Sequence, residues 1–158
     1  MYPECYGFNP LYPSDADFKV GCKDDTSGLG VMTFRAFESG DLIAEFTGEL
    51  LTEMTQHSLQ IEPGLHLSDL YFVGYLLHSC APNVHLDMQA RRAYAIERIR
   101  PYEFLTMDYA QTEDRLFRQF PCNCGSPQCR GWITGRLEMP DEMSPLYQQL
   151  TMLRKTVA

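Results

Sequence analysis

Three cysteines, Cys122, Cys124 and Cys129, stand at Cys-x-Cys-x4-Cys spacing in the stretch Cys122-Asn123-Cys124-Gly125-Ser126-Pro127-Gln128-Cys129. Thiolates so close together suit a soft metal ion, and a structural zinc takes four ligands in a tetrahedron. The natural fourth is Cys80, in the small polar loop Leu77-His78-Ser79-Cys80-Ala81-Pro82-Asn83 near the middle of the chain. Four thiolates leave no open coordination position, so such an ion would activate no water and its task would be structural. It would tie a late segment over a mid-chain turn, and a binding site is expected beneath that tie. Disulfides are the competing use of six cysteines. They belong to oxidising compartments and to shorter, cysteine-dense scaffolds, whereas the spacing here is that of a metal site. Cys5 and Cys22 then read as ordinary reduced cysteines.

Positioning these groups falls to short strands and turns. Residues 1–17 carry Tyr2, Pro3, Tyr6, Phe8, Pro10, Tyr12 and Pro13 without periodicity, which predicts an extended arm over the surface. Phe18-Lys19-Val20, Val31–Ala36 and Leu42–Thr47 read as strands separated by polar, glycine-bearing turns. Residues 52–70 are polar, mixed and interrupted by Pro63-Gly64, and predict a helical turn or an irregular insertion. The apolar run Tyr71–Leu77 is expected to be buried whether strand or helix. Val84–Met88 and Arg92–Ile96 alternate and can pair through the turn at 89–91, and Phe104–Tyr109 reads as a further strand. Near the end, Ser144-Pro145 reads as an N-cap followed by proline at the first helical position, and Leu146, Leu150, Leu153 and Val157 recur at helical spacing. A short amphipathic helix packing on the body is expected there.

One domain is the expectation for 158 residues with 44% hydrophobic and 22% charged content. No apolar run approaches the length of a membrane span, and Met1-Tyr2-Pro3-Glu4 is not the start of a secretory signal, so an intracellular protein is expected. The net charge is −8, with no lysine- or arginine-rich run. That argues against nucleic acid as a direct ligand, since phosphate binding needs clustered cations. It suits a basic peptide or a cationic small molecule, or simply serves solubility.

Four motifs in order resemble the SET-domain methyltransferases. Gly28-Leu29-Gly30 matches the glycine loop that lies against S-adenosylmethionine (SAM), and Phe46-Thr47-Gly48-Glu49 matches the aromatic-x-Gly-Glu of the following strand. His78-Ser79-Cys80-Ala81-Pro82-Asn83 matches the family's asparagine-His-Ser-Cys-x-Pro-Asn knot except at its first position. Glu103–Tyr109 matches the Glu-x-Leu-Thr-aromatic-Asp-Tyr strand that carries the essential tyrosine, and the cysteine array followed by Arg130-Gly131 matches the zinc-bound post-SET segment. The likeness runs from about Phe18 to Gly135. Three departures stand out. Leu77 occupies the position of the asparagine that holds the amino-acid end of SAM, and Met107 that of the aromatic residue that tunes how many methyl groups are added. The segment 52–70 is a short version of the family's variable insertion, and no cysteine-rich pre-SET region is present.

The resemblance implies a mainly β fold with short helices, made of small sheets around a pseudoknot. It divides the chain into an arm (1–17), a SET domain (18–118), a post-SET zinc segment (119–136) and a C-terminal helix (137–158). Tyr109 is then the catalytic residue. Gly28, Leu29, Gly30, Tyr75, His78 and Ser79 would line the cofactor, His78 through its backbone. Phe46 and Met107 would shape the substrate pocket, although Tyr75 and Phe46 are equally readable as plain core. Asn83 would hold the knot and Asp108 would be structural. Trp132 would either cover the adenine or be a core residue beside the metal. The activity implied is transfer of a methyl group from SAM to a protein lysine, with SAM and a structural zinc as cofactors. SAM chemistry on a small molecule, and a SET fold without turnover, are the competing readings.

Overall fold

Apolar–polar alternation over stretches this short yields strands of two to five residues, and twelve occur among residues 1–157, which the computed structural model describes. In chain order the elements are β1 (Phe18–Cys22), β2 (Leu29–Thr33), β3 (Leu42–Glu45), β4 (Glu49–Leu51), β5 (Ser58–Glu62), β6 (Leu65–Ser68), β7 (Leu77–His78), β8 (Val84–Asp87), β9 (Arg92–Ala95) and β10 (Thr106–Met107). A one-turn helix α1 (Tyr109–Thr112), β11 (Phe120–Pro121), β12 (Trp132–Ile133) and helix α2 (Pro145–Val157) complete the chain. The strands form small sheets ordered β1-β2, β3-β9-β8, β4-β6-β5, β7-β10 and β11-β12, all antiparallel except the parallel pair β7-β10.

The expected pairing of β8 with β9 is present, with Val84 opposite Ala95 and Arg91 turning the chain at φ 55°. The segment 52–70 corrects the expectation of a helical turn or irregular insertion. It folds as the β5-β6 hairpin, joined edgewise to β4. Pro63-Gly64, read as an interruption, is the hairpin turn itself, with Gly64 at φ 79°. Leu59 and Leu67 are the apolar residues that this hairpin buries, beside Ser58, Gln60 and His66.

The main core lies between these sheets. Phe37, Phe46, Phe72, Leu67, Ile99 and Leu105 are its largest fully buried side chains. The run Tyr71–Leu77 is a 3-10 turn (Val73–Tyr75) rather than a continuous element, and buried Asp69 organises it by accepting the backbone N–H groups of Tyr71, Phe72 and Val73. The arm reaches the same carboxylate. Tyr2 donates its hydroxyl to Asp69 Oδ2 at 2.7 Å, so the arm is anchored in the body and not merely laid over it.

Parallel pairing of β7 with β10 sets Leu77 opposite Thr106 and His78 opposite Met107. Asn83 clamps the loop between: Nδ2 donates to the Phe104 carbonyl at 3.0 Å, Oδ1 accepts from Thr106 N at 2.7 Å, and Asn83 N donates to Thr106 Oγ1 at 3.2 Å. The C-terminal helix forms as expected, but of its leucine stripe only Leu150 is half-buried among the described side chains. Leu146 and Leu153 are exposed, and contact is made instead by Tyr147, whose ring meets Trp132 edge-on at 5.1 Å. The stripe's last member, Val157, has its side chain outside the described residues.

Candidate functional site

The thiols of Cys80, Cys122, Cys124 and Cys129 lie within 4.8 Å of one another, with 3.9 Å between Cys80 Sγ and Cys122 Sγ. A tetrahedral ion with metal–sulfur bonds of about 2.3 Å requires sulfur–sulfur edges of roughly 3.8 Å. The donor set therefore suits a thiophilic metal, with the Cys80–Cys122 edge already at that length. Burial pushes the Cys122 thiol up, while at Cys124 burial is outweighed by hydrogen bonds from the backbone of Cys80 and Ser126 and from the other thiols, which bring it down to about 6. Turns at Gly125 and Gly131, both at positive φ, bend the segment so that its cysteines converge, and Cys122 N donates to the Gly131 carbonyl to close it.

Beside this cluster stands Tyr109. The expected strand 104–109 keeps ladder pairing only over β10, and Tyr109 is the first residue of α1 instead. Asp108 causes the switch: its carboxylate accepts from Ala110 N and caps the helix, a role that favours a turn over a continuing strand. The Tyr109 hydroxyl donates to the Leu76 carbonyl at 2.9 Å, and burial pushes its pKa up to about 12. The ring is met edge-on by His78 and Phe120, at 5.2 and 5.9 Å. His78 Nδ1 accepts from Tyr109 N at 3.3 Å. Burial pushes the imidazole down to about 4, against the pull of Asp108, so it is neutral at physiological pH.

A cavity of about 840 Å³ opens here, within the range of small-molecule sites. Of the residues singled out in the sequence, Gly28, Leu29, Tyr75, Leu77, His78, Met107, Tyr109, Cys122 and Cys124 line it. Gly28, at φ 73°, has open space where a side chain would stand, while a Cβ on Gly30 would meet the Leu77 side chain at 2.6 Å and the Phe104 ring at 2.9 Å. Gly30 thus serves the packing of Leu77 behind the wall. Phe46, Ser79, Asn83 and Trp132 are not lining residues. Phe46 belongs to the main core, and Trp132 is buried against Tyr147 with its indole N–H on Gln119 Oε1.

Sequence reasoning gave Arg130 no role beyond its place in the post-SET motif and did not single out Glu113. Arg130 forms an ion pair with Asp108 at 2.5 Å and donates its backbone N–H to Cys80 Sγ at 3.3 Å, fastening the cysteine segment to the residue that caps α1. A basic residue directly after the last cysteine was the available signal. Glu113, one helical turn beyond Tyr109 and also on the cavity wall, accepts from Gln60 N at 2.8 Å, and burial pushes its carboxyl up to about 7. Nothing in local sequence marks Glu113, because its burial depends on the β5-β6 hairpin.

The same fold occurs in solved structures. KRYPTONITE in complex with mCHG DNA and SAH superposes with a TM-score of 0.58 at 23% identity, over 73% of this chain and 29% of that one. The methyltransferase domain of human histone-lysine N-methyltransferase SETMAR superposes with a TM-score of 0.56 at 20% identity, over 73% and 56%. The chain has the SET-domain fold. Among curated relatives, it is 32% identical to methyltransferase flvH of Aspergillus flavus over 108 residues, which is 66% of this chain and 60% of the relative. It is 28% identical to the H3 lysine-9 specific histone-lysine N-methyltransferase of Schizosaccharomyces pombe, over 72% of this chain and 32% of that protein. The chain thus spans less than two thirds of the length of either relative. No protein-family model matches the sequence. One structural neighbour was solved with DNA, so the expectation of no nucleic-acid partner gains no support from these comparisons. No helix among the described residues is long and apolar enough to cross a membrane.

Proposed function

We propose that this SET domain transfers a methyl group from SAM to the side-chain amine of a lysine in a basic protein segment. The observation that carries the reading is Tyr109, a buried tyrosine whose hydroxyl is locked onto the Leu76 carbonyl at the wall of a ligand-sized cavity roofed by the thiol cluster. The histone-lysine methyltransferases among its relatives, and the neighbours solved with SAH and with an H3 peptide, support it.

SAM, when bound, supplies a methyl group on a sulfonium. What the protein must add is alignment and a neutral acceptor. Free lysine has a pKa of about 10.4, so only on the order of one part in a thousand is neutral at pH 7.4. Desolvation in an enclosed cavity disfavours the ammonium and lowers that value. The Tyr109 hydroxyl is raised to about 12 and already donates to Leu76, so it stays protonated and turns a lone pair away from that bond. That lone pair is the acceptor for the substrate amine or the reacting methyl, holding it in line. In this reading Gly28, Leu29, Tyr75 and His78 approach the donor, with Gly30 and Ser79 behind them, Met107 shapes the acceptor side and Phe46 backs it. Trp132 bears on the cofactor through the segment it anchors. The metal is zinc, held by Cys80, Cys122, Cys124 and Cys129. The arm, SET body, zinc segment and C-terminal helix remain the units read from the sequence, and the setting is intracellular, where thiols stay reduced.

One observation favours a second reading, methylation of a small molecule. The relative flvH, named as a methyltransferase with no protein substrate in its name, shares a larger fraction of its length than the histone enzymes do. The test is transfer of labelled methyl from SAM to histones, peptides and a lysate separated by mass, alongside Y109F. A labelled lysine lost in Y109F is the expected result, with kcat reduced ~100-fold or more. Label confined to the low-mass fraction would establish the second reading, and equal rates in Y109F would remove Tyr109 from the chemistry.

A further inference from the structure

One side chain, His78, contacts both Cys80 of the cluster and the backbone of Tyr109. We infer that His78 is a positioning residue, its Nε2–H donating to Cys80 Sγ and its Nδ1 accepting the Tyr109 N–H, so that the state of the metal cluster is transmitted to the backbone of the reacting tyrosine.

Donor and acceptor counting fixes the tautomer. Tyr109 N points its hydrogen at His78 Nδ1 over 3.3 Å, which requires a lone pair there, so the ring proton is on Nε2. Cys80 Sγ is 3.4 Å from Nε2 and is the acceptor within reach. The opposite tautomer would aim Nδ1–H at Asp108 Oδ1, which at 3.8 Å is too far for a hydrogen bond, and would set that hydrogen against the Tyr109 N–H. It would also leave Nε2 to accept from Arg130 Nη2 at 3.5 Å, the longer of the two contacts at that nitrogen. The ring cannot turn to escape the choice. Its side chain is 3% exposed and wedged edge-on against Tyr109 and Phe120. The parallel register that sets His78 beside Met107 explains why a residue two positions before Cys80 meets one two positions after Met107. Outer-sphere hydrogen bonds of this kind orient metal ligands, and their loss costs ~10–100-fold in metal affinity or activity.

The test uses the full chain, labelled with 15N and loaded with zinc and then with cadmium, which alters the thiolates while keeping the cluster filled. The expected result is a proton on His78 Nε2 alone and a Tyr109 amide resonance that shifts on the zinc-to-cadmium exchange. In H78N, whose side-chain oxygen can still accept from Tyr109 N but cannot reach Cys80, the exchange should no longer reach Tyr109. A proton on Nδ1, a silent Tyr109 amide in the unaltered protein, or an equal shift in H78N would overturn the linkage, as would a chain that takes up neither metal. Should H78N fail to fold, the tautomer and shift in the unaltered protein decide the matter. The kinetic consequence rests on the proposed methyltransferase reading: kcat should fall ~10–100-fold in H78N and in H78Q, with KM for a lysine peptide unchanged. Calorimetry with SAH separates the two claims. A protein showing the linkage but binding no SAH refutes the methyltransferase reading only, and one binding SAH with His78 protonated on Nδ1 refutes the linkage only.

Discussion

The body and the C-terminal segment of this molecule are held together by different physics. The body encloses a large apolar cluster that includes Phe37, Phe46, Phe72, Leu67 and Ile99, contributed by several sheets. The segment's own cluster has only Leu116, Cys122 and Ile133 as buried members, and three of the side chains packed on it are Cys80, Cys124 and Cys129. Burying a leucine or isoleucine contributes about 1.5–3 kcal/mol, while ordering each backbone residue costs about 1–2 kcal/mol. A cluster that small does not by itself offset the cost of ordering the loop from Phe120 to Ile133, and a metal held by the four thiols would supply the difference. Tyr109 packs against both clusters. The difference teaches where such chemistry can sit: the rigid side supplies the position, and the thiol-bearing side would supply a roof that a metal assembles over a ligand.

Metal removal is the largest way to break this comparison. Structural zinc sites in small domains contribute about 10–16 kcal/mol at neutral pH. Chelation should strip amide protection from residues 120–133, abolish binding in the cavity, and leave protection of β3, β8 and β9 intact, as read by hydrogen exchange. Equal loss in both regions would mean that the body has no independent core. The converse perturbation is F72A. Phe72 is fully buried against Phe18, so its loss should cost about 3–5 kcal/mol of global stability in denaturant unfolding while zinc content remains stoichiometric. A variant that sheds zinc instead would tie the two regions more closely than their packing implies.

The same division explains what could be read in the sequence. Cysteine spacing is a local signal, and the cluster assembled from it includes Cys80. Strand periodicity identified β8 and β9 and their turn. The β5-β6 hairpin was missed because its strands are polar on one side and Pro63-Gly64 serves equally as a break or a turn, a choice made by tertiary pairing with β4. Tyr109 was found but set on a strand, since the capping by Asp108 depends on the chain leaving β10 at that point. Glu113 was invisible for a related reason: its environment is created by a hairpin distant in sequence.

Glu113 sharpens the comparison at the seam. Its carboxyl, about 4.5 when unfolded, is raised to about 7 by burial in the folded protein. Between those values the folded form binds a proton that the unfolded chain has released, so stability falls as pH rises through that window and levels off above it. The loss amounts to roughly 3 kcal/mol at 1.36 kcal/mol per pH unit. E113Q retains an oxygen to accept from Gln60 N and cannot ionise. Its melting temperature relative to the unaltered protein should therefore rise as pH goes from 5 to 8, and a constant difference would show that Glu113 is not held in its neutral form.

The smallest effect tests the end of the chain. If α2 docked through the stripe anticipated from its leucine spacing, L153Q would cost what a buried leucine costs. Leu153 is 65% exposed and Leu146 50%, whereas Tyr147 faces Trp132. L153Q and L146Q should thus change stability by no more than about 0.5 kcal/mol, while Y147A removes an aromatic pair worth about 0.5–1.5 kcal/mol beyond its area. Because Trp132 lies on β12, which pairs with β11 around the cysteine loop, Y147A should also raise amide exchange at Trp132 and Ile133. Exchange unchanged there would mean that the helix merely rests on the segment and that the thiol cluster alone holds β11 and β12 in register.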